Sequence, residues 1–357
     1  MERNVTPNGS DAPPPVASRV VRLSPISTFR RRRTPEKPRR SQSGSARHQA
    51  QPVCKAPILI PEGFPTIFRP TAEMGLNLVE CKMTAYIFGH FDRIGELLFK
   101  NGTFNMTRSA FFSVCPGEQL NPNVVRAFSL LATEAERTRE TVRAWFLPCS
   151  FATHVWAGAP LSDLDAAYAI PYMPATKTLR HVFLPAAEAD GSYYLVLIDL
   201  KDRVIYSMDV CWSAETILQR EAVIEKLRNA IGTILLLERH NKGFTSCWIP
   251  EPANFGDVIY PEGIPDDLHS DQTAAWLLYW LQQHGGFSAR IFRPITKVWF
   301  SHASIVRMKL YSLTQEYEKT IRMKSAIKLL TSTSNELFPI LEDRIERAWA
   351  EMLGDEV

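Results

Sequence analysis

The sequence has no apolar run of about 18 residues, so no membrane-spanning helix is expected. Its first residues, MERNVTPNGSDAPPP, lack the apolar segment of a signal peptide, and secretion is not expected. There is no Cys-x-x-Cys pair: the six cysteines (Cys54, Cys81, Cys115, Cys149, Cys211, Cys247) are scattered. A metal site needs clustered ligands, so no metal is expected, and the thiols read as small apolar packing groups. Each stays a candidate nucleophile only where a histidine stands beside it, and histidine is scarce, at 8 residues. The phosphate loop, HExxH, GxSxG and the dinucleotide fingerprint are all missing, and no cofactor is expected. No internal repeat occurs.

What is present is enough apolar material for one large or two modest domains: 357 residues, 45% hydrophobic and 10% aromatic. The net charge of +3 hides an asymmetry. Residues 1–56 hold 12 Lys and Arg against 3 Asp and Glu, a net +9, while the remainder holds 29 against 35, a net −6. Residues 1–57, rich in Pro, Ser and Arg, bury too little to offset the entropy of ordering and are expected to be a disordered basic tail. Inside it, FRRRRTPEKPRR (Arg30, Arg31, Arg32, Arg33, Lys37, Arg39, Arg40) suits nuclear import, a nuclear or nucleocytoplasmic protein being the expectation. A solvated linker and a weak nucleic-acid contact are the alternatives. No aromatic residue follows Phe29 in the run, which gives base stacking no support.

Folded structure is expected from about residue 58. Helical spacing of Leu78, Val79, Met83, Ile87, Phe91, Ile94 and Leu98 predicts one helix over NLVECKMTAYIFGHFDRIGELLFKNG, ended by Asn101-Gly102. A short capped helix, a Pro-Gly turn and a helix from Asn121 follow. RHVFLPA, SYYLVLIDL and RVIYSMD, separated by tight polar turns, predict neighbouring strands. Ser213 caps a predicted helix over SAETILQREAVIEKLRNAIGTILLLER, GDVIY reads as a further strand, and two helices close the chain near 303–329 and 335–353. The order indicates an α+β fold. Between them lies HSDQTAAWLLYWL, residues 269–281, where a polar turn with Ser270 as cap feeds a dense apolar helix. Such a helix start is a common mount for a nucleophile.

Four segments, within roughly residues 105–285, together resemble the ubiquitin-like-specific (SUMO) cysteine proteases, and among them the plant transposon-associated branch. They are MTRSAFFSVCPGEQLNPNVVRAFSLL, LRHVFLPAAEADGSYYLVLIDLKDRVIYSMD, SAETILQREAVIEKLRNAIGTILL and SDQTAAWLLYWL. The resemblance implies a papain-like domain, residues 58–300, with a central, mostly antiparallel sheet flanked by helices. It sets residues 301–357 apart as a C-terminal helical extension.

The resemblance also implies where chemistry would sit. The family's His-Trp falls on Ser192-Tyr193 and its acid on Asp209. Its nucleophile falls on Thr273, with Ala274 at the glycine and Trp276 at the aromatic; a register one or two residues earlier gives Gln272 or Asp271. The oxyanion glutamine becomes Asp267. The opening Trp-Leu-Asn-Asp reads Gln119-Leu120-Asn121-Pro122, without the aromatic that lines the family's substrate tunnel. A thiolate, a base and an oxyanion amide are thus all replaced. The expectation is a catalytically degenerate copy, a monomer without membrane contact, that binds a ubiquitin-like protein or another protein. Two alternatives stay open: an active peptidase with a rewired Cys211–His269 or Thr273–His269 site, with His181 a further histidine nearby, and a nuclear adaptor acting through the arginine tail.

Overall fold

The computed structural model describes residues 60–175, 177–211, 213–242, 244, 250–261, 269–282 and 306–354. The basic tail, with its arginine run, and Asp267 lie outside the described residues. The described part is mixed α+β, as expected, and Lys55–Val357 forms a single compact unit.

Its first helix, α1 (Leu78–Gly89), begins in a capping box: Asn77 Oδ1 accepts from the Glu80 N–H at 2.9 Å, and Glu80 returns the bond to the Asn77 N–H at 2.8 Å. The helix expected to run on to residue 102 stops there. A short 3-10 turn (Phe91–Arg93) leads into β1 (Leu97–Asn101), which pairs antiparallel with β2 (Phe104–Thr107) across Gly102 at φ +56°. Phe91 and Ile94, counted from the sequence as part of a buried helical face, lie exposed, while Leu98 and Phe99 are fully buried on the hairpin. Pairing of the strands outweighs the local helical spacing.

The helices α2 (Arg108–Phe112) and α3 (Pro122–Arg137, capped by Asn121) follow where the sequence puts them. Next come β3 (Ala144–Phe146), α4 (Cys149–Trp156) and α5 (Leu161–Tyr172), which the periodicity did not announce. The strands β4 (His181–Ala187), β5 (Tyr193–Asp199) and β6 (Val204–Met208) are the expected meander. They form a sheet in the order β3-β4-β5-β6, antiparallel except for the β3–β4 pair. GDVIY contributes one bridge, Ile259 to Tyr206, against the β6 edge.

Every residue of β5 is buried, and its side chains alternate between two cores. Tyr193, Leu195 and Leu197 join one core; Tyr194, Val196 and Ile198 join the other. The second core is closed by α4, α5 and α6 (Ala214–Leu236), the last opened by the expected Ser213 cap and followed by the short α7 (Glu238–Asn241). The first core is closed by α3, by α8 (Thr273–Gln282), and by α9 (Val306–Leu330) and α10 (Phe338–Leu353). The helical segment formed by α9 and α10 thus takes part in the first core. Ile321, Met323, Leu329, Leu341 and Ile345 belong to the same core as α8 and β5. Its connector also covers the outer edge of β1. Asn335 accepts from the Lys100 N–H at 3.0 Å and donates to the Leu98 carbonyl at 2.9 Å, much as a neighbouring strand would.

One buried group makes this fold sensitive to acid. His240, on α7, is 3% exposed, packs edge-on against Trp145, and among the described residues has no hydrogen-bond partner on either ring nitrogen. Burial, with the charge of Arg239 adding to it, lowers its pKa to about 4. Between that value and the ordinary 6.5 the unfolded chain binds the extra proton, so the contribution of neutral His240 is full above pH 6.5 and lost as pH falls to about 4. Urea unfolding across this window should show His240→Phe gaining on the wild type by on the order of 3 kcal/mol at the acid end, with near parity at pH 7.

Candidate functional site

The segments that carry Ser192, Asp209 and Thr273 come from three elements: the start of β5, the end of β6 and the start of α8. The tie between β5 and α8 is direct. Thr273 is fully buried, its Oγ1 accepts from the Tyr193 N–H at 2.9 Å, and its hydroxyl donates to the Ser270 carbonyl at 2.6 Å. The proton a nucleophile must give up is held by a backbone oxygen, and the lone pair is directed at a backbone amide. Thr273 works as a staple between a helix start and a strand start.

Ser192 precedes Tyr193 by one position on the chain. Its N–H donates to Asp190 Oδ1 at 2.9 Å, a turn bond of the Asx type, and its hydroxyl donates to Glu188 Oε2 at 3.2 Å. A buried serine that donates its only side-chain proton to a carboxylate is no base near neutral pH. Burial acts to raise the Asp190 carboxyl, but the Ser192 bonds and the charge of Arg220 outweigh it and hold that carboxyl below its ordinary range.

Asp209 is buried, and its carboxylate is occupied. Oδ1 accepts from the Cys211 N–H at 2.9 Å, and Oδ2 pairs with Arg220 Nη1. Arg220 is the residue that the sequence did not flag. It lies seven positions into α6 and is 1% exposed. Its Nε and Nη2 reach Glu188 at 2.7 and 3.3 Å, Nη1 reaches the Cys211 carbonyl at 3.5 Å, and the guanidinium sits 5.0 Å over the Tyr194 ring. Hydrogen bonds link Ser192 to Arg220 by way of Glu188, and the Arg220–Asp209 ion pair carries the connection on to Asp209. A basic residue on an otherwise apolar-facing helix position was the available signal, and the helical spacing alone gave it no role.

His269, the histidine of the rewired alternative, stands at the head of the Ser270–Gln272 turn that leads into α8, where its backbone N–H donates to Gln272 Oε1 at 3.2 Å. His181 sits at the opposite end of β4 from Ala187, the residue that pairs with Tyr193, and it bonds Asp199 at 3.2 Å. Cys211 is half-buried; burial and the neighbouring Asp190, Glu188 and Asp271 carboxylates all push its thiol pKa up, away from a reactive thiolate. Among the described residues no group of three or more His, Cys, Asp or Glu side chains is placed to hold a metal ion.

The start of α8 is held from below by α9. Arg322, fully buried, donates to the Asp271 carbonyl and to the Cys115 carbonyl at 3.3 Å, and pairs with Glu318 Oε1 at 2.8 Å. Glu318 Oε2 in turn accepts from Gln272 Nε2 at 3.2 Å. A small polar cleft of about 160 Å³ lies beside this network, lined by Pro116, Gly117, His269, Asp271, Gln272, Gln315, Glu318 and Lys319. On the other side, the segment before α3 lies against the β4–β5 turn: Tyr193 donates its hydroxyl to the Leu120 carbonyl at 2.7 Å, and the Gln119 side chain covers Gly191 so closely that a Cβ there would meet Nε2 at 2.5 Å. Gly191 also adopts φ +84°, a second reason for glycine at this turn.

No protein-family model and no curated protein matches the chain. Solved structures do. SUMO protease Ulp1 with its catalytic cysteine oxidised to a sulfenic acid superposes with a TM-score of 0.50 at 15% identity, over 73% of this chain and 97% of that one. The C-terminal Ulp1 protease domain in complex with Smt3, the yeast orthologue of SUMO, gives 0.47 at 14% identity, over 77% and 100%. The Ulp1-like SUMO protease catalytic domain of Chaetomium thermophilum gives 0.46 at 12% identity, over 78% and 96%. The likeness is one of fold: a sheet flanked by helices, of the Ulp1 protease type.

Two substitutions measure how the site is held. Thr273→Val keeps the shape but strands the Tyr193 N–H, and is expected to cost about 1–3 kcal/mol in denaturant unfolding. Arg220→Met leaves Asp209 buried and uncompensated, a loss of about 3–5 kcal/mol, whereas the double variant Arg220→Met/Asp209→Leu should recover most of it. A double variant no more stable than the single would mean that the pair is not the dominant tie.

Proposed function

We propose that this chain is a non-catalytic copy of a ubiquitin-like-specific protease domain, and that it acts by binding protein. The observation that carries the proposal is the state of Thr273, buried with both hydrogen-bonding functions of its hydroxyl committed to backbone. Ser192 as a hydrogen-bond donor and Asp209 as the partner of Arg220 support the same reading. Loss of one member of a nucleophile–base pair costs on the order of 10⁴ to 10⁶ in rate, and here both members are absent.

The partner class follows from the fold likeness to a SUMO protease: a ubiquitin-like protein, or a protein that presents a similar surface. The four quoted segments support a placement in the plant transposon-associated branch. The run from Arg30 to Arg40 supports nuclear import.

The test uses the full chain with SUMO and ubiquitin precursors and with the same proteins carrying C-terminal electrophiles. The expected outcome is no cleavage and no covalent adduct, with binding of a ubiquitin-like protein detected by calorimetry. An adduct on Thr273 or any cysteine would sink the non-catalytic reading. Absence of heat with every ubiquitin-like protein tried would remove that partner class.

A further inference from the structure

We propose that Arg220 is an electrostatic lock on the site, so that restoring a base at position 192 and a thiol at position 273 does not by itself recreate an activated nucleophile. The inference rests on the reading of Ser192, Asp209 and Thr273 as the former catalytic positions. It adds that a fourth residue, on a different helix, now holds the acid.

The geometry is specific. A buried carboxylate orients an imidazole by accepting its N–H, and it supports the imidazolium charge less once a guanidinium has neutralised it. Oδ1 of Asp209 accepts from the Cys211 N–H, and the charge of the carboxylate is balanced by the ion pair with Arg220. Arg220 is anchored at three further points: Glu188, the Cys211 carbonyl and the face of the Tyr194 ring. Glu188 is also what Ser192 bonds, so the guanidinium and its second carboxylate occupy the path between positions 192 and 209. A side chain with this many fixed contacts and 1% exposure has no alternative place to move without leaving a buried charge unpaired.

The experiment compares the full chain as Ser192→His/Thr273→Cys with the same protein carrying Arg220→Gln, where the introduced imidazole takes over as the cation beside Asp209. Each is also made with Asp209→Asn. Alkylation by iodoacetamide is followed at position 273 by mass spectrometry at pH 6.5. In that reaction the thiol proton passes to the imidazole, sulfur bonds to the acetamide carbon and iodide leaves with its electron pair. With Arg220 present, the cysteine is expected to react as slowly as an ordinary buried thiol and to ignore Asp209→Asn. With Arg220→Gln the rate should rise at least tenfold, and Asp209→Asn should abolish the gain. A thiol that reacts fast beside an intact Arg220, and slows on Asp209→Asn, overturns the lock. So does an Arg220→Gln protein that folds and gains nothing.

If Arg220→Gln does not fold, the proton spectrum of Ser192→His/Thr273→Cys decides. A low-field imidazole N–H resonance that vanishes on Asp209→Asn means Asp209 reaches position 192 past Arg220 and overturns the lock; its absence supports it. An adduct on the unmutated chain bears on the non-catalytic reading instead, so the two failures are distinguishable.

Discussion

A guanidinium with 1% of its surface in solvent must be balanced where it stands, and the neighbourhood of Arg220 is arranged around that requirement. Asp209 at the end of β6 and Glu188 at the end of β4 supply the charge, the Cys211 carbonyl takes a remaining proton, and Tyr194 offers its face. The interaction joins α6 to two strands of the sheet. A buried ion pair contributes little net stability once desolvation is counted, yet breaking it is costly. That asymmetry explains how such a pair holds a loop in one arrangement: every alternative leaves a charge unbalanced.

The start of α8 depends on a second arrangement of the same kind. Arg322 and Glu318 on α9 are buried together and make their remaining bonds to the Asp271 carbonyl and the Gln272 amide. Thr273 then joins that helix start to β5 through the Tyr193 N–H. The start of α8 is thus fixed from α9 below and from β5 beside it, with one backbone group on the donor side of the Thr273 hydroxyl and one on its acceptor side.

Much of this was legible in the sequence, and for physical reasons. The meander of β4, β5 and β6 announced itself through dense apolar, β-branched and aromatic runs cut by Asp190-Gly191 and Lys201-Asp202, and Ser213 and Asn121 marked helix starts by their capping chemistry. The hairpin of β1 and β2 was hidden, because Ile87, Phe91, Ile94 and Leu98 satisfy a helical period while only long-range pairing decides which of them is buried. Short β3 and α4 carry too few residues for a period to show, and α5 carries Pro171 within its last turn, a residue that argues locally against a helix. The partly amphipathic character of α9 suits packing against the body, but only the fold shows that α9 and α10 share the core of α8 and β5.

The site separates what a sequence reveals from what it does not. On the proposed reading, residue identities at 192, 209 and 273 mark a missing base and a missing thiol, and nothing more. They leave Asp209 looking like a surviving member of a triad. Only the fold brings Arg220, eleven positions further on and across a helix cap, against that carboxylate. A retained acid therefore need not be a retained function. An unpaired buried carboxylate is a liability, and the cation that relieves it also neutralises the charge that an introduced imidazole would draw on. Stability of the emptied site and recovery of its chemistry pull in opposite directions at this one residue.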